Sequence, residues 1–132
     1  MVVLDTSALI AAIDLDERDH HRVSAFFQTD PGPFIIPAGI LSEVTFVLDK
    51  RFGALTTDRF LANLEAGAFV LDCGDGDLSR IRELIRRYRD LPLGYADAAV
   101  IACAERNGRQ VATLDLRHFG VVAREGTIQI VP

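Results

Sequence analysis

The 132-residue sequence lacks several features that would each indicate a class of protein. Lysine is nearly absent, since Lys50 is the only lysine, and the net charge of −5 argues against broad, nonspecific binding of nucleic acid. The longest unbroken apolar run, Ala98 to Ala104, is far shorter than the roughly 20 residues of a membrane-spanning helix. No basic residue precedes the apolar N-terminal stretch, so no signal peptide is expected. These absences predict a soluble, cytoplasmic protein with no membrane association.

Cysteine is also scarce, and its placement argues against a zinc site. Cys73 and Cys103 have neither CxxC spacing nor histidine companions. Cys103 lies in an apolar run and is expected to be a small buried side chain, and reduced thiols fit a cytoplasmic protein. The sequence contains no repeat, linker or low-complexity tract. Its length therefore predicts a single domain over residues 1–132.

Short apolar segments alternate with helical patterns along the chain. This alternation favours an α/β fold in which a five-stranded parallel sheet is covered by helices on both faces. The helix at 56–67 is expected to have a threonine cap and to end at Gly67. The predicted helices cover 7–13, 19–30, 38–53, 56–67, 76–90 and 95–108. The predicted strands cover 2–4, 34–37, 68–72, 110–114 and 127–131.

Two aspartates occur where predicted strands end. Asp5 follows the strand VVL, and Asp115 follows VATL. Ligands of open α/β sheets bind outside the carboxyl ends of the strands, near the point where the strand order reverses. Asp5 and Asp115 converge if the first and fourth strands are neighbours, which composition and periodicity alone do not establish.

Two further acids stand beside apolar residues in predicted helices. On a helical wheel Glu43 falls at the edge of an apolar stripe, away from the polar face that contains Ser42. Asp97 begins a helix whose next seven residues, 98–104, are all apolar. A carboxylate in such a place is costly unless it has a partner or a metal ion, and the dipole at a helix N-terminus also favours it.

Each of these four acids, taken alone, also has a purely structural explanation. Asp5 could cap a helix, Asp97 could complement a helix dipole, Asp115 could sit in a turn, and Glu43 could be a tolerated edge residue. Taken together, four carboxylates at one end of one sheet would repel each other strongly without a cation. Hard oxygen ligands of this kind suit Mg²⁺ or Mn²⁺.

Four segments of the sequence resemble the PIN-domain ribonucleases, especially the VapC-type toxins of bacterial toxin–antitoxin pairs. The segments are VVLDTSALIA at 2–11, SEV at 42–44, YADAAVIACAERNG at 95–108 and VATLDLRHFG at 111–120. Their order and spacing cover essentially the whole chain. The resemblance implies the strand order 3-2-1-4-5, which would set Asp5 and Asp115 side by side. It also implies an RNA substrate, a VapB-type antitoxin partner and a homodimer.

The resemblance implies hydrolysis of RNA phosphodiester bonds with Mg²⁺ or Mn²⁺, which lower the pKa of water and neutralise charge on the phosphate. Asp5, Asp97 and Asp115 would be the principal metal ligands, and Glu43 would bind metal or position the attacking water. Three hydroxyl residues could donate hydrogen bonds to these carboxylates. They are Thr6, Ser7 and Thr113.

Several basic residues could contact RNA. Arg117 and His118 follow Asp115 closely and are candidates for substrate contacts. Five arginines lie within residues 80–89; they could bind phosphates or form a solvated outer face. His20 and His21 are adjacent in a predicted helix and therefore point about 100° apart, so one metal ion could not easily use both.

Other function classes place an aspartate after a first strand. A haloacid-dehalogenase-type phosphatase would carry a second acid two residues later, where this chain has Ser7. That phosphatase and a receiver domain would both have a lysine near a late strand, but Lys50 lies in a middle helix. A non-catalytic binding module is a third alternative, and it would be favoured if the four acids did not converge.

Overall fold

The computed structural model describes residues 1–132 and contains five strands and seven α-helices. A 3₁₀ turn, Ala38–Ile40, leads into α3. The strands are β1 (Val2–Leu4), β2 (Phe34–Pro37), β3 (Val70–Asp72), β4 (Gln110–Ala112) and β5 (Gln129–Val131). The helices are α1 (Thr6–Ile13), α2 (His20–Thr29), α3 (Leu41–Phe52), α4 (Ala54–Glu65), α5 (Leu78–Arg87), α6 (Tyr95–Arg106) and α7 (Leu116–Arg124).

The five strands form one parallel sheet in the order β3-β2-β1-β4-β5. The α/β fold class and the strand order implied by the resemblance are both confirmed. β1 is the central strand, and its Val3 pairs with Ile35 of β2 and Val111 of β4. Since all strands run the same way, their carboxyl ends share one edge of the sheet. The residues that follow β1 and β4 are therefore neighbours.

The core is centred on β1 and α6. All three residues of β1 are fully buried, and every residue of α6 from Ala98 to Ala104 is buried. The turn before α3 packs closely on this helix, because a Cβ on Gly39 would lie only 3.0 Å from Cβ of Ala99. This close approach holds the N-terminal half of α6, which carries Asp97, against the turn that follows β2.

Two sequence predictions about helices are wrong. α4 starts at Ala54 rather than at 56, because Gly53 adopts φ of 93° and joins α3 directly to α4, so no threonine caps it. No helix was expected between the last two strands, where α7 lies. Its sequence contains Gly120 and two adjacent valines, which are weak helix formers. Burial of Phe119 and Val122, one turn apart, stabilises the helix instead.

The cysteines follow the prediction made for them. Cys103 is buried, Cys73 is exposed, and neither forms a disulfide. None of the helices has the length and apolar character that a bilayer crossing requires.

Candidate active site

A cleft of about 530 Å³ opens at the carboxyl ends of β1 and β4. All four acids singled out in the sequence line this cleft, so the structure brings them together. Two further acids and one base, which the sequence did not indicate, line it as well. The charged lining residues are Asp5, Glu17, Asp19, Glu43, Asp97, Asp115 and Arg51.

Asp5 is the most buried of these acids, with 6% of its surface exposed. Its Oδ2 atom accepts hydrogen bonds from the hydroxyls of Ser7, at 2.9 Å, and Thr113, at 2.8 Å. Burial raises the pKa of Asp5, while the hydrogen bonds from Thr113 and Ser7 act to lower it. The end of β1 therefore presents a carboxylate whose orientation is fixed by two donors.

The same two hydroxyls tie Asp5 to the loop that follows β4. Ser7 Oγ accepts the backbone N–H of Leu114 at 2.9 Å, and Thr113 Oγ1 accepts that of Asp115 at 3.0 Å. Each hydroxyl thus donates to Asp5 and accepts from the loop, so its single proton is already committed. The arrangement fixes the position of Asp115 relative to Asp5 and gives Ser7 and Thr113 the expected contact with a carboxylate.

Thr6 differs from Ser7 and Thr113. Its hydroxyl is buried without any hydrogen-bond partner, so the structure gives it no contact with a carboxylate oxygen. Thr6 acts through its backbone instead, where an amide hydrogen bond lowers the pKa of Asp5. The expectation of a hydroxyl donor at Thr6 is therefore corrected. Thr6 is the first residue of α1, and Ser7 and Thr113 supply the hydroxyl donors to Asp5 instead.

Asp115 is the N-cap of α7. Its Oδ1 accepts the backbone N–H of His118 at 3.1 Å, and its Oδ2 lies 2.9 Å from Nδ1 of the His118 ring. His118, expected from the sequence to contact RNA, is thus held against a cleft carboxylate. Arg117 next to it is exposed and makes no hydrogen bond or ion pair within the chain.

Asp97 lies in the first turn of α6 and is half-buried. The pKa of Asp97 is raised to about 6, first by burial and then by the negative charges of Asp5, Asp115 and Glu43, while His118 acts to lower it. Donor atoms of Asp97, Asp115 and His118 lie within 4.8 Å of one another. Two carboxylates and an imidazole at this spacing could hold one cation.

Glu43 lines the cleft from the first turn of α3, but its side chain is exposed. The sequence placed it apart from the solvated face, and that part of the prediction is wrong. Val44 and Leu48 take the buried positions of α3, and Glu43 lies one position away from them. An exposed carboxylate at the rim can face both solvent and a bound substrate.

The arginine-rich helix α5 lies elsewhere, and several of its arginines are paired. Arg80 forms ion pairs with Glu105 and Glu83, and Arg87 with Glu125. His20 also has a local role, because its Nδ1 lies 2.7 Å from the backbone oxygen of Ala11. No arginine of α5 lines the acidic cleft.

A family model described as the PIN domain matches residues 2–125. The chain belongs to the PIN-domain family. A curated relative, Ribonuclease VapC26 of Mycobacterium tuberculosis, is 31% identical over 123 residues, covering 92% of this chain and 91% of the relative. This PIN-domain protein is therefore of the VapC type, and the receiver and phosphatase alternatives are set aside.

Two solved structures share the fold of this PIN-domain protein. VapC20 of M. tuberculosis, described as a sarcin-ricin loop cleaving toxin, superposes with a TM-score of 0.83 at 18% identity, with complete coverage of both chains. FitAcB from Neisseria gonorrhoeae superposes with a TM-score of 0.67 at 17% identity, covering 100% of this chain and 97% of the other.

Proposed function

We propose that this protein is a ribonuclease that depends on Mg²⁺ or Mn²⁺ and acts as the toxin of a toxin–antitoxin pair. The observation that carries the proposal is the meeting of Asp5, Glu43, Asp97 and Asp115 in one cleft at the carboxyl ends of β1 and β4. Membership of the PIN-domain family and the name of the relative VapC26, a ribonuclease, support the reaction class. The family match over residues 2–125 supports a single catalytic domain.

The donor set fits a small divalent cation. The cleft offers carboxylate oxygens, which Mg²⁺ and Mn²⁺ prefer. Burial first, and then the negative charges of its neighbours, raise the pKa of Asp97, and a bound cation would offset both effects. Asp5, Asp97 and Asp115 would hold the ion, with Glu43 at the rim. When bound, the ion supplies an activated water molecule and neutralises charge on the phosphate.

The chain's own residues set the geometry of this site. Ser7 and Thr113 fix the carboxylate of Asp5, and His118 fixes that of Asp115. Orienting contacts of this kind preserve ligand geometry when charge is added or removed. Glu43, exposed in the same cleft, would bind the ion or position the attacking water.

The proposed partners follow from the same assignment. VapC20, which has the same fold, is described as a toxin, and this supports a toxin role and hence an antitoxin partner for this chain. A VapB-type antitoxin that covers the acidic cleft, a homodimer and a cytoplasmic location are parts of the proposal. Co-purification with the product of a neighbouring gene would test the antitoxin directly.

Thermal unfolding with and without Mn²⁺ tests the site before the RNA target is known. We expect Mn²⁺ to raise the Tm of the unmodified protein, because a ligand at one hundred times its Kd stabilises the fold by about 2.7 kcal/mol. Asp5→Asn should abolish most of this increase. Without metal, Asp5→Asn should melt higher than the unmodified protein, since one repelling charge is removed.

The matched control is Asp90→Asn, which neutralises an exposed acid outside the cleft and should leave the Mn²⁺ response unchanged. In parallel, the unmodified protein should cleave RNA with Mn²⁺ and not with EDTA. If Mn²⁺ shifts neither protein and metal-free Asp5→Asn melts lower, Asp5 is a structural residue and the nuclease assignment fails.

The raised pKa of Asp97 predicts a pH dependence of metal binding. In the metal-free fold this carboxyl holds its proton up to about pH 6, against 3.8 in the reference state. Its contribution to the free energy of unfolding therefore falls as pH rises between those values. Because Mn²⁺ must displace this proton, the Mn²⁺-induced rise in Tm should be larger at about pH 7.5 than at about pH 5. Equal rises at both values would contradict the assignment.

A further inference from the structure

Arg51 is the only basic residue that lines the acidic cleft. Val47 and Arg51 follow Glu43 by four and eight residues, so the three share one side of α3. All three line the cleft. Eight residues of helix separate the Cα atoms of Glu43 and Arg51 by about 12 Å. This stripe of α3 therefore carries a carboxylate at one end and a guanidinium at the other.

Two acids from the segment that follows α1 anchor Arg51. Its Nη1 atom lies 3.1 Å from Oδ2 of Asp14 and 3.1 Å from Oε1 of Glu17. Both ion pairs use the same nitrogen, so Nε and Nη2 have no partner within the chain. The Arg51 side chain is 44% exposed, and the residue lines the open cleft.

Stability alone does not account for the arrangement. Exposed ion pairs typically contribute less than about 1 kcal/mol to folding. A guanidinium that is already held by one nitrogen loses less conformational entropy when its remaining N–H groups bind a ligand. The N–H groups of Nε and Nη2 point to the same side of the guanidinium and can donate two parallel hydrogen bonds to two oxygens of a phosphate group.

We infer that Arg51 binds a backbone phosphate of the RNA strand, at a nucleotide other than the one cleaved. The inference rests on the proposed function, because it takes RNA as the occupant of the cleft. Arg51 is the only cationic side chain that lines the cleft, its Cα lies about 12 Å along α3 from that of Glu43, and its Nε and Nη2 groups remain available for a phosphate. Asp14 and Glu17 are positioning residues that aim the guanidinium.

The test measures binding of a fluorescein-labelled, single-stranded RNA of randomised sequence by fluorescence anisotropy. Ca²⁺ replaces Mn²⁺, and a gel verifies that the RNA stays intact. We expect Arg51→Gln to weaken binding about tenfold. The slope of log K against log salt should also become shallower by about 0.7, which corresponds to one lost phosphate contact on a single strand. Arg51→Lys keeps the positive charge but lacks the paired N–H groups. It should therefore bind the RNA more tightly than Arg51→Gln and less tightly than the unmodified protein.

Arg124→Gln is the matched control, because Arg124 is exposed at the end of α7, outside the cleft and without an ion pair. It should bind RNA like the unmodified protein. The inference about Arg51 is overturned if Arg51→Gln keeps the affinity and salt slope of that control, or if its affinity falls with an unchanged slope. Failure of the unmodified protein to cleave RNA with Mn²⁺ contradicts the proposed function separately.

Discussion

Asp97→Asn is expected to reduce RNA cleavage by more than about a hundredfold. Loss of residues that merely orient a metal ligand costs about 10- to 100-fold, and Asp97 is proposed as a ligand itself. Its carboxyl lies within 4.8 Å of donor atoms of Asp115 and His118. Asparagine keeps the size and one oxygen but removes the charge that holds a divalent cation. The rate of cleavage of a labelled RNA in Mn²⁺ measures the effect.

The metal-free Asp97→Asn variant should nevertheless be at least as stable as the unmodified protein. The amide removes repulsion with Asp5, Asp115 and Glu43, which contributes to the raised pKa of Asp97. Asp58→Asn, at an exposed position of α4, controls for a neutralised acid in a helix. A variant that cleaves RNA at a near-normal rate, or that loses activity only because its Tm collapses, would refute the role given to Asp97.

Thr113→Val is expected to destabilise the fold by about 1–3 kcal/mol. Threonine and valine have nearly the same shape, so the substitution replaces the hydroxyl with a methyl group and changes little else. Oδ2 of Asp5 then loses a donor, and the backbone N–H of Asp115 loses its acceptor, in a place where Thr113 is 3% exposed. Chemical denaturation measures this loss. Mn²⁺ titration should show affinity reduced about 10- to 100-fold, because two metal-binding carboxylates lose their orientation.

The chain provides a matched control in Thr127. Its hydroxyl is also buried, but it has no hydrogen-bond partner. Thr127→Val should therefore leave stability unchanged or raise it slightly, and it should leave Mn²⁺ affinity alone. Equal losses of stability in the two variants would show that the hydrogen bonds of Thr113 contribute nothing specific.

The positions of the principal acids were predictable because they depend on strand ends. Hydrophobic runs located β1 and β4, and the polar residues after them located Asp5 and Asp115. Periodicity could not order the strands, because a buried parallel strand has the same pattern wherever it lies in the sheet. The family resemblance supplied that order, and the structure confirms it.

Other parts of the cleft could not be read from local patterns. Glu17, Asp19 and Arg51 have the composition of an ordinary solvated surface, and only tertiary packing brings them beside Asp5. α7 was not predicted because Gly120 and the paired valines are weak helix formers. Its N-cap, Asp115, was recognised as a candidate ligand but not as a helix start, so the link to His118 was missed too.

The contact between His118 and Asp115 has a practical consequence for spectroscopy. The chain has three histidines, and only His118 has a ring nitrogen bonded to a carboxylate of the cleft. Its backbone N–H is bonded to the other oxygen of the same carboxylate. Any occupant that draws Asp115 toward the cleft changes both bonds at once. We therefore expect the NMR chemical shifts of the His118 imidazole and of its backbone amide to change together when a ligand enters the cleft. These shifts detect binding without any turnover of RNA.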